Sequence, residues 1–531
     1  MRKTVIFAGE AGQGIDRTAV VFGKMVASLG YSCFIYRDYS SLIRGGHNFS
    51  IVTFSAGPVR AHDEKAHAII ALDPKAALKH KNSLHKGGAI FSAEEGWNKN
   101  GSKHAANNIL LGMAAKYFSV PKNIGMEALR KEFGVKTSEM EGSFGFGYSK
   151  DLPGSDLSPE KGGVRREVSD GNKAVMAGAL DSGVGAVFYY PMTPATGVFA
   201  KLEETKKETG VIVEQMEDEI AAANAALGAS YAGMPSMTGS SGGGLALMGE
   251  AASFAGMAEL PAVFYAAQRM GPSTGVPTYT AQGDLKFVLN MGPGEFPRIA
   301  FIPGDIEDAY KATREAFYFS SKYRMPAFII SDKHIAESYS THSALKSPLP
   351  KIKPLPKNFQ KDYKSYSITE NGISPAVAPG GPQTFRATSY EHDEYGHTTE
   401  DPAIIKGMND KRLRKVETLK KELAGFPGVS VFGKGKKAIV FAGSPKGAVL
   451  DALPTLKGYR AVQINRLYPF PAKELARALK NAPFHTVENN TAGQLALLVR
   501  EATGLKANKS LLRYDGRPFT PENIIKFFKS K

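Results

Sequence analysis

The chain has 531 residues, a formal net charge of +16, 42% hydrophobic residues and a single cysteine. At about 150 residues per domain, that length implies three or four domains. No apolar run approaches the ~20 residues that cross a bilayer, and one cysteine can neither close an intrachain disulfide nor hold an iron–sulfur cluster, which takes about four thiolates.

The basic residues are scattered, many as pairs such as Lys206-Lys207 and Lys420-Lys421. No arginine-rich stripe interleaved with aromatics marks a nucleic-acid face. A solvated basic surface is expected, compatible with steering an acidic electron carrier. The apolar patch at 4–8 is too short for a signal segment and runs into a glycine turn, so the reading is a cytoplasmic protein beginning on a strand.

In chain order, a strand over 4–8 leads through Gly9-Glu10-Ala11-Gly12-Gln13-Gly14 into a helix over 18–29 and a strand over 32–37. Strand–helix alternation predicts a parallel α/β sheet for residues 1–150. The Gly-, Ser- and Pro-rich stretch 142–164 reads as a linker, with 151–167 joining the domains. Strand-like runs recur at 186–190, 211–213, 262–266, 299–302 and 327–330, giving a second α/β domain over 168–335. Residues 336–428 read as an extended connector ending in a charged helix over 411–423. A third α/β domain follows over 429–531, opening on a strand at 437–442.

Several turns carry candidate chemistry. The glycine order at 9–14 is G-x-x-G-x-G, which differs from the dinucleotide fingerprint G-x-G-x-x-G. Backbone N–H groups of Gly12 and Gly14 at a helix start suit an anion, as does Arg44 in Arg44-Gly45-Gly46-His47, which could equally be a subunit contact. Tyr190-Pro191-Met192-Thr193-Pro194 puts Thr193 at a strand's carboxyl end, where open α/β sheets bind ligands. Glu214-Gln215-Met216-Glu217-Asp218-Glu219 opens an alanine-rich helix; carboxylates there complement its dipole, or one of them serves a cofactor ring. Gln268-Arg269 ends a buried strand before Gly271-Pro272-Ser273-Thr274-Gly275, and an arginine so placed suits bidentate capture of a carboxylate.

Together these motifs resemble the 2-oxoacid:ferredoxin oxidoreductases. The resemblance runs nearly end to end, through Asp393-Glu394-Tyr395-Gly396-His397, Lys411-Arg412, Glu488-Asn489-Asn490, Gly493-Gln494-Leu495 and Tyr514-Asp515-Gly516-Arg517-Pro518. It implies a γ domain fused ahead of an α subunit: three parallel-sheet domains, the middle one facing the thiamine pyrimidine and the last like the transketolase C-terminal domain. It aligns Glu219 with the acid that contacts the aminopyrimidine, Thr193 with a threonine near cofactor and substrate, Arg269 with the 2-oxoacid carboxylate clamp, and Thr274 with a position linked to substrate choice. Gly12, Gly14 and Arg44 fall where coenzyme A or a subunit would touch. The Gln-Arg-x-Gly-Pro-Ser-Thr-Gly form resembles 2-oxoglutarate or broad-range members more than dedicated pyruvate enzymes.

This chain departs from the family at Met192, where Ile is usual, and at Glu10-Ala11, where Glu10 would repel an anion. It also has no Gly-Asp-Gly metal motif. The resemblance therefore implies that thiamine diphosphate is shared with a β subunit that holds the magnesium and the iron–sulfur cluster, in a heterodimer or a dimer of heterodimers, with ferredoxin, coenzyme A and a 2-oxoacid as reaction partners. Pattern alone leaves Glu217 and Asp218 as alternatives to Glu219. A nicotinamide oxidoreductase using the first turn and a non-catalytic scaffold subunit stand as rival readings.

Overall fold

The computed structural model describes residues 2–40, 45–94, 97, 105–134, 138–152, 166–358, 362–381 and 384–529. Three sheets with flanking helices form the expected α/β architecture, and most strand pairs are parallel.

The first sheet has seven strands in the order Leu84–Ser92, Ala66–Ala71, Lys3–Glu10, His47–Ser55, Ser32–Asp38, Tyr339–His342, Glu167–Asp170. Lys3–Glu10 alternates no polar residues because both faces are covered, and the helix Ile15–Ser28 buries Val20, Val21, Phe22 and Met25 over one of them. Where parallel pairing was expected throughout, this sheet is mixed. Lys3–Glu10 runs antiparallel to His47–Ser55 (Lys3 opposite Phe54), as does Ser32–Asp38 (Ser32 opposite Ser55). Too few residues separate Ser32–Asp38 from His47–Ser55 in sequence for the crossover a parallel pair needs. Two strands from outside residues 1–150 complete the sheet: Tyr339–His342, from the stretch read as connector, lies between Ser32–Asp38 and Glu167–Asp170.

The linker expected over 142–164 is in part a helix, Ser138–Tyr148. Its glycines are there for contact with the helix Ala105–Tyr117: a β-carbon on Gly147 would collide with the carbonyl of Ile109, and one on Gly112 with the carbonyl of Phe144. Close backbone approach replaces side-chain packing along this seam. Residues 153–165 lie outside the described residues.

The second sheet runs Arg466–Tyr468, Ile299–Phe301, Ala327–Asp332, Val263–Gln268, Ser236–Ser240, Ala186–Tyr189, Ile212–Gln215. All its pairs are parallel except the edge strand Arg466–Tyr468, lent by the C-terminal region. Val263–Gln268 is buried along its whole length, as a strand covered on both faces must be. One face packs Tyr265 and Ile329 in one core with Phe199 of the helix Thr196–Thr209 and with the helices Gly171–Ser182 and Ile306–Tyr323; the other packs Phe264, Phe328 and Ile330 into a core continuous with Val440 and Val462 of the third sheet. That sheet runs Val429–Phe432, Tyr459–Ile464, Lys437–Ala442, Phe484–Glu488, Lys509–Leu512.

The charged helix is longer than expected, Pro402–Glu422, started by Asp401, whose side chain accepts from the N–H groups of Ala403 and Ile404. Lys411 and Lys415 on it are 0% exposed and both pair with the buried Glu259. Among the described residues, no helix is long and apolar enough to cross a membrane.

Candidate active site

Four neighbouring strands of the second sheet deliver their carboxyl ends side by side: Val263–Gln268, Ser236–Ser240, Ala186–Tyr189 and Ile212–Gln215. Parallel order is what gathers these ends at one edge. Arg269, Ser241, the loop 190–194 and Glu219 follow them in turn.

Glu219 is 3% exposed at the first turn of the helix Glu219–Tyr231. Asp218 is spent as the N-cap, accepting from the N–H of Ala221 at 2.8 Å, and Glu217 is exposed. The three carboxylates that pattern left open therefore differ in setting: one caps, one faces solvent, one is buried. Ser240 Oγ donates to Glu219 Oε1 at 3.0 Å. Gly244 makes room for the pair: a β-carbon there would lie 2.7 Å from Glu219 Cδ.

Arg269 is 6% exposed. Its Nη1 donates to the carbonyl of Thr193 at 2.9 Å and lies 3.1 Å from Met192 Sδ. No carboxylate among the described residues forms an ion pair with it, and its Nε is buried without a partner. Burial pushes its pKa down; the charges of Asp284 and Glu219 act the other way. Asp284 is in turn pushed up by burial, with Arg269 opposing. A buried guanidinium left this way is costly unless an anion completes it. Ser241 Oγ, on a residue 1% exposed, is a second buried polar atom without a partner. Gly242, the next residue, has φ +48°, and a β-carbon on it would stand 3.9 Å from Arg269 Nε.

The structure thus brings Glu219, Arg269 and Thr193 to one edge. Thr193 is half-buried; Thr274 is exposed on the outer turn of the loop that follows Arg269. Gly12 and Gly14 lie at the edge of the first sheet instead, with φ +86° and +75°, and Ala11 N–H donates to Gly46 O at 2.8 Å. Among the described residues, no hydrogen bond joins that turn to Arg269 or Glu219. Arg44 lies outside the described residues. Sequence reasoning missed Ser240, Ser241, Gly244 and Asp284. The serines and glycine stand in the glycine-rich stretch Thr238-Gly239-Ser240-Ser241-Gly242-Gly243-Gly244, but nothing in that pattern says which atoms face Glu219. Among the described residues, no cluster of three or more His, Cys, Asp or Glu could hold a metal.

Residues 177–410 match the family model "Pyruvate flavodoxin/ferredoxin oxidoreductase, thiamine diP-bdg", and residues 4–142 match "Pyruvate ferredoxin/flavodoxin oxidoreductase". A 2-oxoacid:ferredoxin oxidoreductase subunit alpha from a Sulfolobus species is 30% identical, covering 99% of this chain and 96% of its own. The corresponding subunit of Saccharolobus solfataricus is also 30% identical, covering 100% of this chain and 98% of its own. Among solved structures, 2-oxoglutarate:ferredoxin oxidoreductase from Magnetococcus marinus, with 2-oxoglutarate, coenzyme A and succinyl-CoA bound, superposes with a TM-score of 0.89 at 29% identity over 99% of each chain. The chain belongs to the 2-oxoacid:ferredoxin oxidoreductases, a family of oxidoreductases with ferredoxin as electron acceptor.

Proposed function

We propose that this chain is the γ-fused α subunit of an enzyme that converts a 2-oxoacid and coenzyme A to acyl-CoA and CO2, passing the two electrons released to ferredoxin. The observation that carries this reading is the presence, along one edge of the second sheet, of a buried carboxyl at Glu219 and a buried guanidinium at Arg269 that has no ion-pair partner among the described residues. The residues present fit thiamine diphosphate: Ser240 occupies Oε1 of Glu219 and leaves Oε2 for a ring nitrogen, while Gly244 keeps the space beside them clear. When bound, that cofactor supplies a carbon nucleophile and an electron sink for the 2-oxoacid.

The chain's own groups do the rest. Glu219 holds the proton shared with the aminopyrimidine, and its burial excludes water that would compete for it. Arg269 grips the 2-oxoacid carboxylate, its aim fixed by the Thr193 carbonyl. Ser241 Oγ, buried without a partner after the neighbouring strand Ser236–Ser240, is a further donor for that substrate. Thr274, on the exposed loop, adjusts which side chain of the 2-oxoacid fits. 2-Oxoglutarate or a broad range of 2-oxoacids is the substrate reading, supported by the Gln268-Arg269-x-Gly271-Pro272-Ser273-Thr274-Gly275 form and by the ligands of the Magnetococcus marinus structure.

A β subunit completes the site. One cysteine and the lack of a Gly-Asp-Gly sequence favour a partner that carries the magnesium, the diphosphate contacts and the cluster. The test is reconstitution with that subunit: coenzyme A-dependent ferredoxin reduction by 2-oxoglutarate, pyruvate and 2-oxobutyrate supports the reading, and no reduction with any 2-oxoacid rejects it.

A further inference from the structure

The loop that begins at Arg269 closes on itself through Tyr279. Met270 N–H donates to the Tyr279 carbonyl at 2.9 Å, Val276 N–H to the Met270 carbonyl at 2.8 Å, and Tyr279 N–H to the Val276 carbonyl at 3.1 Å. Tyr279 is therefore the far post of the turn whose near post is the residue after Arg269.

The side chain of that post is held by two other domains. Tyr279 OH donates to Asp38 Oδ1 at 3.3 Å, and the Arg517 guanidinium lies 3.8 Å from the ring centroid. Arg517 Nε meets Asp38 Oδ2 at 3.2 Å, closing a triangle. Asp38 ends a strand of the first sheet, is 3% exposed, and is braced by Tyr36 OH at 2.9 Å. Arg517 comes from the C-terminal region. Its neighbour Gly516 accepts from Thr280 N–H at 3.2 Å; with φ +76° and a β-carbon position 3.0 Å from Tyr279 Cβ, only glycine suits that place. Two residues further on, Gln282 exchanges hydrogen bonds with Asn489: N–H to O at 2.7 Å and Oε1 from N–H at 3.2 Å. The Glu488-Asn489-Asn490 and Tyr514-Asp515-Gly516-Arg517-Pro518 motifs thus converge on one loop base.

Building on the function proposed above, we propose that Asp38 and Arg517 are positioning residues for 2-oxoacid capture: they lock Tyr279, which fixes the loop carrying Thr274 and the aim of Arg269. A bidentate clamp is sensitive to sub-ångström displacement, so its supporting groups matter as much as the clamp itself. The energy lost on freeing it is binding energy common to ground and transition states, which appears in KM and leaves kcat.

The test uses the enzyme assembled with its β subunit and two readouts. The first is amide hydrogen exchange of peptides covering 270–280, with the Val263–Gln268 strand as internal control. Asp38→Asn and Arg517→Ala are expected to speed exchange in 270–280 and not in the strand. The second is steady-state kinetics. The same variants are expected to raise KM for the 2-oxoacid about tenfold, with kcat within about twofold and KM for coenzyme A unchanged. Arg517→Lys, which keeps the charge opposite Asp38, should recover part of the loss. Should either variant fail to fold, Tyr279→Phe removes one hydroxyl and asks the same question. Unchanged exchange in 270–280, or an unchanged KM for the 2-oxoacid, overturns the proposal. The exchange measurement needs no turnover: altered exchange in an assembly that oxidises no 2-oxoacid would keep the mechanical lock and overturn both its role in capture and the functional reading.

Discussion

Arg269, at the end of one strand, reaches across the sheet edge to the carbonyl of Thr193 at 2.9 Å, so the guanidinium is aimed by backbone that follows a strand two places away. One face of the guanidinium is fixed, and its Nε remains unpaired and buried. Arg269→Ala should therefore cost 2-oxoacid use about 2–4 kcal/mol in kcat/KM, because it leaves a carboxylate in a buried site without its counter-charge. Lysine should recover little, since a point charge cannot reproduce the planar fork. Steady-state kinetics of the assembled enzyme checks both, and an unchanged kcat/KM removes Arg269 from the site.

Gly244 tests the placement of Glu219. An added methyl would collide with Glu219 Oε1 and press on Ser240 Oγ. Displacing an acid by about 1 Å is worth roughly 10²-fold in rate, so Gly244→Ala should lower kcat by about that factor. Gly228, on the same helix as Glu219, has open space around its would-be β-carbon. Gly228→Ala should leave kcat alone and raise stability by about 0.5–1 kcal/mol, the ordinary gain of alanine over glycine in a helix.

Glu259 receives two buried lysines from the helix Pro402–Glu422. Lys411 Nζ meets Oε1 at 2.6 Å, Lys415 meets Oε2, and Arg324 Nε donates to the Glu259 carbonyl at 3.3 Å. Glu259→Gln strands two buried ammonium groups and should cost about 3–5 kcal/mol of unfolding free energy. Burial pushes the Glu259 carboxyl up, but Lys415 and Lys411, with Arg324 behind them, outweigh it and hold it well below its ordinary value of 4.5. The unfolded chain then binds more protons than the native one in that range. The contribution is complete above pH 4.5 and drains as pH falls towards the lowered native value. Thermal melts between pH 7 and 3.5 should show a steeper acid loss for the unaltered protein than for Glu259→Gln; parallel curves would refute the assignment.

The chain alone should reduce no ferredoxin. Its one cysteine, Cys33, is fully buried, and burial lifts its thiol pKa to about 12, far from the thiolate a cluster requires. Spectrophotometric ferredoxin reduction with and without the β subunit checks this. Turnover by the isolated chain would contradict the shared-site account.

Much of this site was legible in the sequence because strand ends are. A buried run closing in Gln268-Arg269, and a proline-stiffened loop after 186–190, announce their position without any tertiary information. Glu219 was harder: three acids in one helix turn share a pattern, and only burial and capping separate them. The first sheet resisted reading for a different reason. Tyr339–His342 is four residues long and pairs with a strand some 300 positions earlier, so no local periodicity marks it. The glycines of Ser138–Tyr148 looked like a linker because glycine signals both loops and close helix contacts. The C-terminal motifs were recognisable as a pattern but mute, since their partners, Tyr279, Thr280 and Gln282, are hundreds of residues away.

The exchange rate of the thiazolium C2 proton of thiamine diphosphate in the assembled enzyme bears most directly on the whole account. Glu219→Gln should slow it by about 10²-fold or more, the usual worth of a placed acid–base group, while Glu217→Gln leaves it unchanged. Equal rates for Glu219→Gln and the unaltered enzyme would contradict the assignment of this edge as half of a thiamine site.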